Sequence, residues 1–155
     1  VTARDRAVGD VMPRQVTPRF KAPKVAKKRK PKSPMARADE LWGAIIHLRF
    51  DRCQFCGKPA HAGKMDAHHV VVRKFKATRT DTANGLLLCW PTCHQDIAHG
   101  DPYAAVTHYT RIFGAEGYKA LRDKAQAGVK ANAAFWRAEV ERLELELAQQ
   151  GLRHG

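Results

Sequence analysis

The chain has 155 residues and sets 28 Lys and Arg against 15 Asp and Glu, a formal net charge of +13. Such a length suits one domain with a modest core rather than two, and the basic excess points to a polyanionic partner, either nucleic acid or an acidic membrane surface. No apolar run approaches the ~20 residues of a bilayer span and the polar, basic start lacks the apolar stretch of a secretory leader, so a cytoplasmic, reducing setting is expected.

In chain order, residues 1–36 form a distinct basic segment. It holds five of the eight prolines, and KAPKVAKKRKPKSP has almost no large apolar side chains. Such a stretch cannot bury enough surface to offset its ordering entropy, which predicts a disordered arm. Lys27, Lys28, Arg29 and Lys30 are its candidate phosphate contacts, and a solvated solubility tail is the alternative. A helix follows in ADELWGAIIHLRF, with Leu41, Ile45 and Leu48 at helical spacing. CQFCGKPAHAGKMDA reads as a knuckle and turn, residues 65–72 as a strand, Arg73 to Gly85 as a basic polar loop, and GLLLC as a short buried strand. A helix is expected to begin within residues 93–99. YAAVTHYTRIF, GYKALRDKAQ and NAAFWRAEVERLELELAQ read as three more, separated by glycines at 114, 117 and 128. The expectation is an α+β chain in three parts: the arm, a core over 37–101 and a helical extension over 102–155.

The four cysteines fall as Cys53-x2-Cys56 and, after 32 intervening residues, Cys89-x3-Cys93. Two close pairs in a chain without secretory signals read as a four-thiolate zinc site rather than two disulfides. Four free thiols or a redox pair are the competing possibilities.

The histidines lie between and beside those pairs. MDAHHVVVRKF places His68 and His69 side by side on a strand, where successive side chains face opposite ways unless the chain bends. Asn84 precedes the second strand, and His94 follows the last cysteine directly. In DAHHVVVRKF, NGLLLC and CHQDIAH the chain resembles the HNH endonucleases, over roughly residues 53–99. The resemblance implies a ββα-metal core clamped by zinc, hydrolysing phosphodiester bonds in DNA, double-stranded or branched, with a catalytic Mg2+ or Mn2+. It implies His69 as general base, His68 and His94 as metal ligands, and Asn84 as the residue that orients the base or touches the metal. Neutral imidazole suits water activation near pH 7, and a divalent cation polarises the phosphoryl oxygen. Members often carry a further histidine four residues after the second ligand; here that position is Ala98, and His99, five residues on, is the candidate third ligand. Arg73 and Lys74, just after the first strand, are candidate DNA contacts. YTRIFGAEGYKALRDKA further resembles the helical pair of phage recombination nucleases of the NinG/Rap type, which implies action in DNA recombination or processing.

Other histidines and acids are expected to be ordinary: His47 a surface or core residue, His61 and His108 at the surface, and Asp66 capping a turn or solvating a strand edge. Two rival readings stand beside the nuclease. One is a zinc-stabilised DNA-binding module without activity. The other is an interaction domain using Trp136, Val140, Leu143 and Leu147 as a helix–helix seam, although packing of that face on the chain's own core fits two heptads better.

Overall fold

The computed structural model describes residues 31–154, so the basic segment up to Lys30, with Lys27, Lys28 and Arg29, lies outside the described residues. From Pro31 onward the chain forms one compact unit. Helix α1 spans Pro34–Arg49 and starts earlier than its apolar spacing alone predicts. The Ser33 hydroxyl accepts from the Ala36 amide at 3.3 Å and Pro34 occupies the first turn, a serine cap followed by a preset φ. Residues 34–36 therefore belong to a helix and not to the arm. The buried stripe is Ala38, Leu41, Trp42, Ile45 and Ile46, while Leu48, expected inside, is 44% exposed. Positions i, i+3, i+4, i+7 and i+8 form one face, and Leu48 lies off it.

Strand β1, Met65–His69, pairs antiparallel with β2, Gly85–Cys89, in the register Met65 opposite Cys89 and His69 opposite Gly85. All five residues of β2 are buried. A β-carbon at Gly85 would collide with Ile46 and Trp42, so only glycine lets α1 approach the sheet this closely. β1 stops at His69, short of the strand expected to residue 72. The Val70 amide still reaches the Asn84 carbonyl at 3.0 Å, but the Val71 amide bonds the Asn84 side chain at 2.7 Å, which takes the place of a further strand partner.

A π-helix, Thr92–His99, follows β2. Helix α2, Pro102–Gln126, is capped by Asp101, whose carboxylate accepts from the Tyr103 and Ala104 amides. Of the two glycines expected to divide this region, Gly114 does so, with φ 72° interrupting the helix, and Gly117 lies within the second half. Helix α3, Ala133–His154, begins after Asn132, which accepts from the Phe135 amide at 2.9 Å.

α3 packs along α1, with Trp136 and Leu143 buried and Val140 and Leu147 half-buried against the same core. The face considered as a seam to another chain thus covers this one. Arg37–Glu144 at 3.2 Å and Arg49–Glu146 at 3.4 Å line the border. Tyr109 and Leu121 of α2 join the same buried cluster, so the 102–155 extension and the 37–101 core share one interior. Among the described residues, no helix is long and apolar enough to cross a membrane.

Candidate functional site

Two clusters of metal-ligating side chains flank the hairpin. In the first, one ligand atom from each of Cys53, Cys56, Cys89 and Cys93 lies within 4.8 Å of all the others. Backbone geometry builds the knuckle: the Cys53 amide donates to Lys58 O at 2.8 Å, the Gly57 amide to Cys53 O at 2.9 Å, and Gly57 takes φ 78°. The Gln54 amide donates to Leu87 O at 2.9 Å, tying the knuckle to β2, whose last residue is Cys89. The Cys56 and Cys89 sulfurs are 3.7 Å apart, close to the ~3.8 Å edge of a tetrahedron with Zn–S bonds of ~2.3 Å. Burial raises the Cys93 and Cys56 thiols; it raises Cys53 too, but amide donors at Cys56, Cys89 and Phe55 outweigh it and bring that thiol down to about 7. This donor set is compatible with a structural zinc, whose binding would release the thiol protons.

The second cluster brings together His68, His94 and His99, again with ligand atoms within 4.8 Å of one another. His68 reaches inward from β1, and the π-helix supplies the other two. In an α-helix, residues five apart point about 140° away from each other. The π-helix closes hydrogen bonds five residues on, as in the Asp96 amide to Pro91 carbonyl contact at 3.3 Å, and this wider turn returns His99 to the side of His94. The ring centroids are 4.8 Å apart. His94 Nδ1 is buried without a hydrogen-bond partner, a polar atom whose need a ligand would meet. Asp66 Oδ2 lies 3.5 Å from that nitrogen, so Asp66 faces the cluster instead of solvating a strand edge. Three converging imidazoles, one with an orphaned nitrogen, fit a divalent metal.

His69 turns the other way, as strand alternation requires. Its ring stacks flat on Trp42, with centroids 3.6 Å apart and planes at 14°. Its Nε2 lies 2.8 Å from the Arg79 carbonyl. A carbonyl only accepts, so Nε2 carries the proton and Nδ1 keeps a free lone pair. Arg79 is itself fixed by a bidentate pair with Asp39 of α1, at 2.8 and 2.6 Å. Burial pulls His69 down to about 4, and burial reinforced by the neighbouring imidazoles pulls His68 down to about 3. Burial also lowers His94. All three rings are therefore neutral at pH 7.

Both halves of the histidine pair line one pocket of about 480 Å³, together with His94, His99, Arg73, Trp42 and Asp39. Lys74 extends over the neighbouring Phe75 ring at 5.0 Å. Asn84, expected to orient the base or touch the metal, spends its side-chain hydrogen bonds on backbone groups. It is fully buried, and its amide donates to the carbonyls of Val71 and Thr78, each at 2.9 Å, while accepting from Val71 N–H. Its amide hydrogens and acceptor are used on the backbone of the 70–84 loop.

Tyr109, Trp42, Arg79 and Asp39 carry no signal in the sequence, since each lies on another element or far along the loop. Tyr109 Oη shares a 2.7 Å hydrogen bond with His68 Nε2 and fixes that ring from α2. Of the remaining histidines, His47 and His61 are exposed, and His108 belongs to neither cluster but stacks at 4.2 Å on Phe55 of the cysteine knuckle. No family model, curated protein or solved structure matches this chain.

Proposed function

We propose that this chain is a metal-dependent DNA endonuclease of the HNH type, with the four thiolates holding a structural zinc and the three-histidine cluster holding the catalytic cation. The observation that carries the reading is the pairing within one pocket of three convergent imidazoles and a fourth, His69, held apart from them with its Nδ1 free. The net charge of +13 supplies the attraction to a polyanionic backbone, and a role in DNA recombination or processing is part of the same proposal.

His68, His94 and His99 would hold the cation, which when bound supplies polarisation of the phosphoryl oxygen and stabilisation of the leaving oxygen. His69 Nδ1 takes a proton from the attacking water as the P–O bond to the leaving oxygen breaks. The Arg79 carbonyl fixes the tautomer that leaves Nδ1 bare, and Trp42 fixes the plane of the ring. Arg73, in the pocket wall, offers its guanidinium to the non-bridging phosphate oxygens. Three imidazoles suit nitrogen-preferring transition metals better than Mg2+, which demands a shell of oxygens. Of the two cations expected, Mn2+ fits this pocket better, and Ni2+ or Zn2+ matches its donors too.

The test is incubation of the full chain with supercoiled plasmid in the presence of Mg2+, Mn2+, Ni2+ or Zn2+, and without added cation. Relaxed or linear product confined to transition-metal lanes, and lost in His69→Ala, supports the proposal. DNA retained in a mobility assay without cleavage by any cation would favour the inactive DNA-binding module.

A further inference from the structure

Three tryptophans occupy the chain, and the structure treats one of them differently. Trp42 and Trp136 are 3% and 6% exposed, as large aromatics in a small core should be, whereas Trp90 is 39% exposed. A single exposed apolar side chain is ordinary in a folded protein. At Trp90, three further features coincide. Its backbone sits between Cys89 and Cys93 and donates to Lys64 O at 3.0 Å, so the ring projects from a backbone tied to both the cysteine cluster and the start of β1. The Lys64 ammonium lies over the ring, 4.3 Å from its centroid. The ring centroid is also 5.7 Å from that of His94, a wall of the three-histidine pocket.

An aromatic face paired with a cation is the means by which proteins hold unpaired nucleic-acid strands. Here the base would take the ring face that the Lys64 ammonium covers, and the ammonium, on its flexible stem, would move from the ring to the phosphate that the base carries. A base inside a duplex has both faces covered by its neighbours and cannot reach an indole, so such a platform selects unpaired nucleotides. We propose that Trp90, with Lys64, binds an unpaired nucleobase beside His94, next to the three-histidine pocket. The preferred substrate is then DNA that is single-stranded next to the scissile phosphate. This rests on the reading of the pocket as a phosphodiester-cleaving site and names the substrate class of that site. Lys64 also lies 3.6 Å from Asp66 Oδ2, which keeps the ammonium close to the pocket.

The experiment uses the full chain and three variants, Trp90→Ala, Trp90→Phe and Lys64→Ala. Each is checked for an unchanged thermal transition and unchanged metal content. Binding to a single-stranded thymidine oligonucleotide and to a duplex of equal length is followed by tryptophan quenching and by anisotropy, without added cation. Cleavage of a duplex bearing an unpaired flap and of fully paired plasmid is then followed with Mn2+. Trp90→Ala is expected to weaken single-strand binding about 5- to 100-fold, the range for removal of one base stack, with duplex affinity unchanged. Trp90→Phe should retain most of the single-strand affinity, because it keeps an aromatic face. Flap cleavage should fall in parallel, and plasmid cleavage should not. Single-strand binding by Trp90→Ala equal to that of the original chain, or an equal loss on both DNAs, would overturn the proposal. Trp90-dependent single-strand binding with no cleavage of any DNA by the original chain would instead overturn the nuclease reading and leave the platform standing.

Discussion

Adjacent histidines on a strand face opposite ways, and here that alternation places the two rings in different surroundings. His68 joins His94, His99 and the Tyr109 hydroxyl, while His69 lies between Trp42 and the Arg79 carbonyl. Their substitutions should therefore differ in kind. His69→Ala is expected to leave cation affinity near normal and cut turnover by ~10²–10⁴, the loss for a general base. His68→Ala or His94→Ala should instead lose cation affinity and recover partly with excess metal. Calorimetric cation titration beside cleavage rates checks this, and normal turnover in His69→Ala would falsify the role given to that residue. The low basicity of His69 also has two pH consequences. With its folded value near 4, the ring stays neutral and competent at pH 5, so the acid limb of the rate profile should centre well below the ordinary ~6.5. The unfolded chain takes up that proton near 6.5 and the native chain only near 4, so stability present above 6.5 is lost as pH falls through that window. The protein should thus be active but easier to denature at pH 5 than at pH 7, which rate profiles and urea titrations at the two pH values would show. An acid limb centred at 6.5 would mean that His69 is not buried as described.

Among the elements, the hairpin and the turn after it decide the geometry of the site. Gly85 lets Ile46 and Trp42 lie against β2, and Trp42 is the surface on which His69 stacks. Gly85→Ala should push α1 off the sheet, destabilise the fold by ~1–3 kcal/mol as overpacked cores do, and loosen the His69 ring. A urea midpoint unchanged from the original chain would refute that close approach. The π-helix shows where sequence spacing misleads. Counted on an α-helix, His99 is a poor partner for His94, since Ala98 occupies the place one turn on. The extra residue is absorbed by a wider turn that returns His99 to the cluster, and π-helical insertions recur at functional sites for this kind of reason. β1 ended early because the Asn84 amide replaced a strand partner, a long-range hydrogen bond that runs of valine do not reveal.

For the whole molecule, a zinc held by the four cysteines is expected to add stability to the shared core, since these residues tie the knuckle to β2 and the π-helix. Cys53→Ser or Cys93→Ser is expected to unfold the core rather than slow turnover, and mass spectrometry under native conditions should find about one tightly bound zinc per chain. A cysteine variant that stays folded and free of metal would remove the cluster's structural role. Deleting residues 1–30 should flatten the salt dependence of DNA binding, by ~0.9 in the log–log slope for each phosphate no longer neutralised, and leave cleavage at saturating DNA intact. An unchanged slope would identify those residues as a solubility tail. What the sequence determined by itself was the chemistry carried in short stretches. The two cysteine pairs, the histidine pair on a strand, the buried run GLLLC and the basic charge all follow from residue type and local spacing. The tertiary structure alone decided which groups meet. Asp39 and Trp42 come from α1, Arg79 from the loop and Tyr109 from α2, and they converge on two histidines because one shared core packs all of these elements together. Contacts of that kind depend on distances in space between residues up to 41 positions apart, and nothing in their local sequence encodes them.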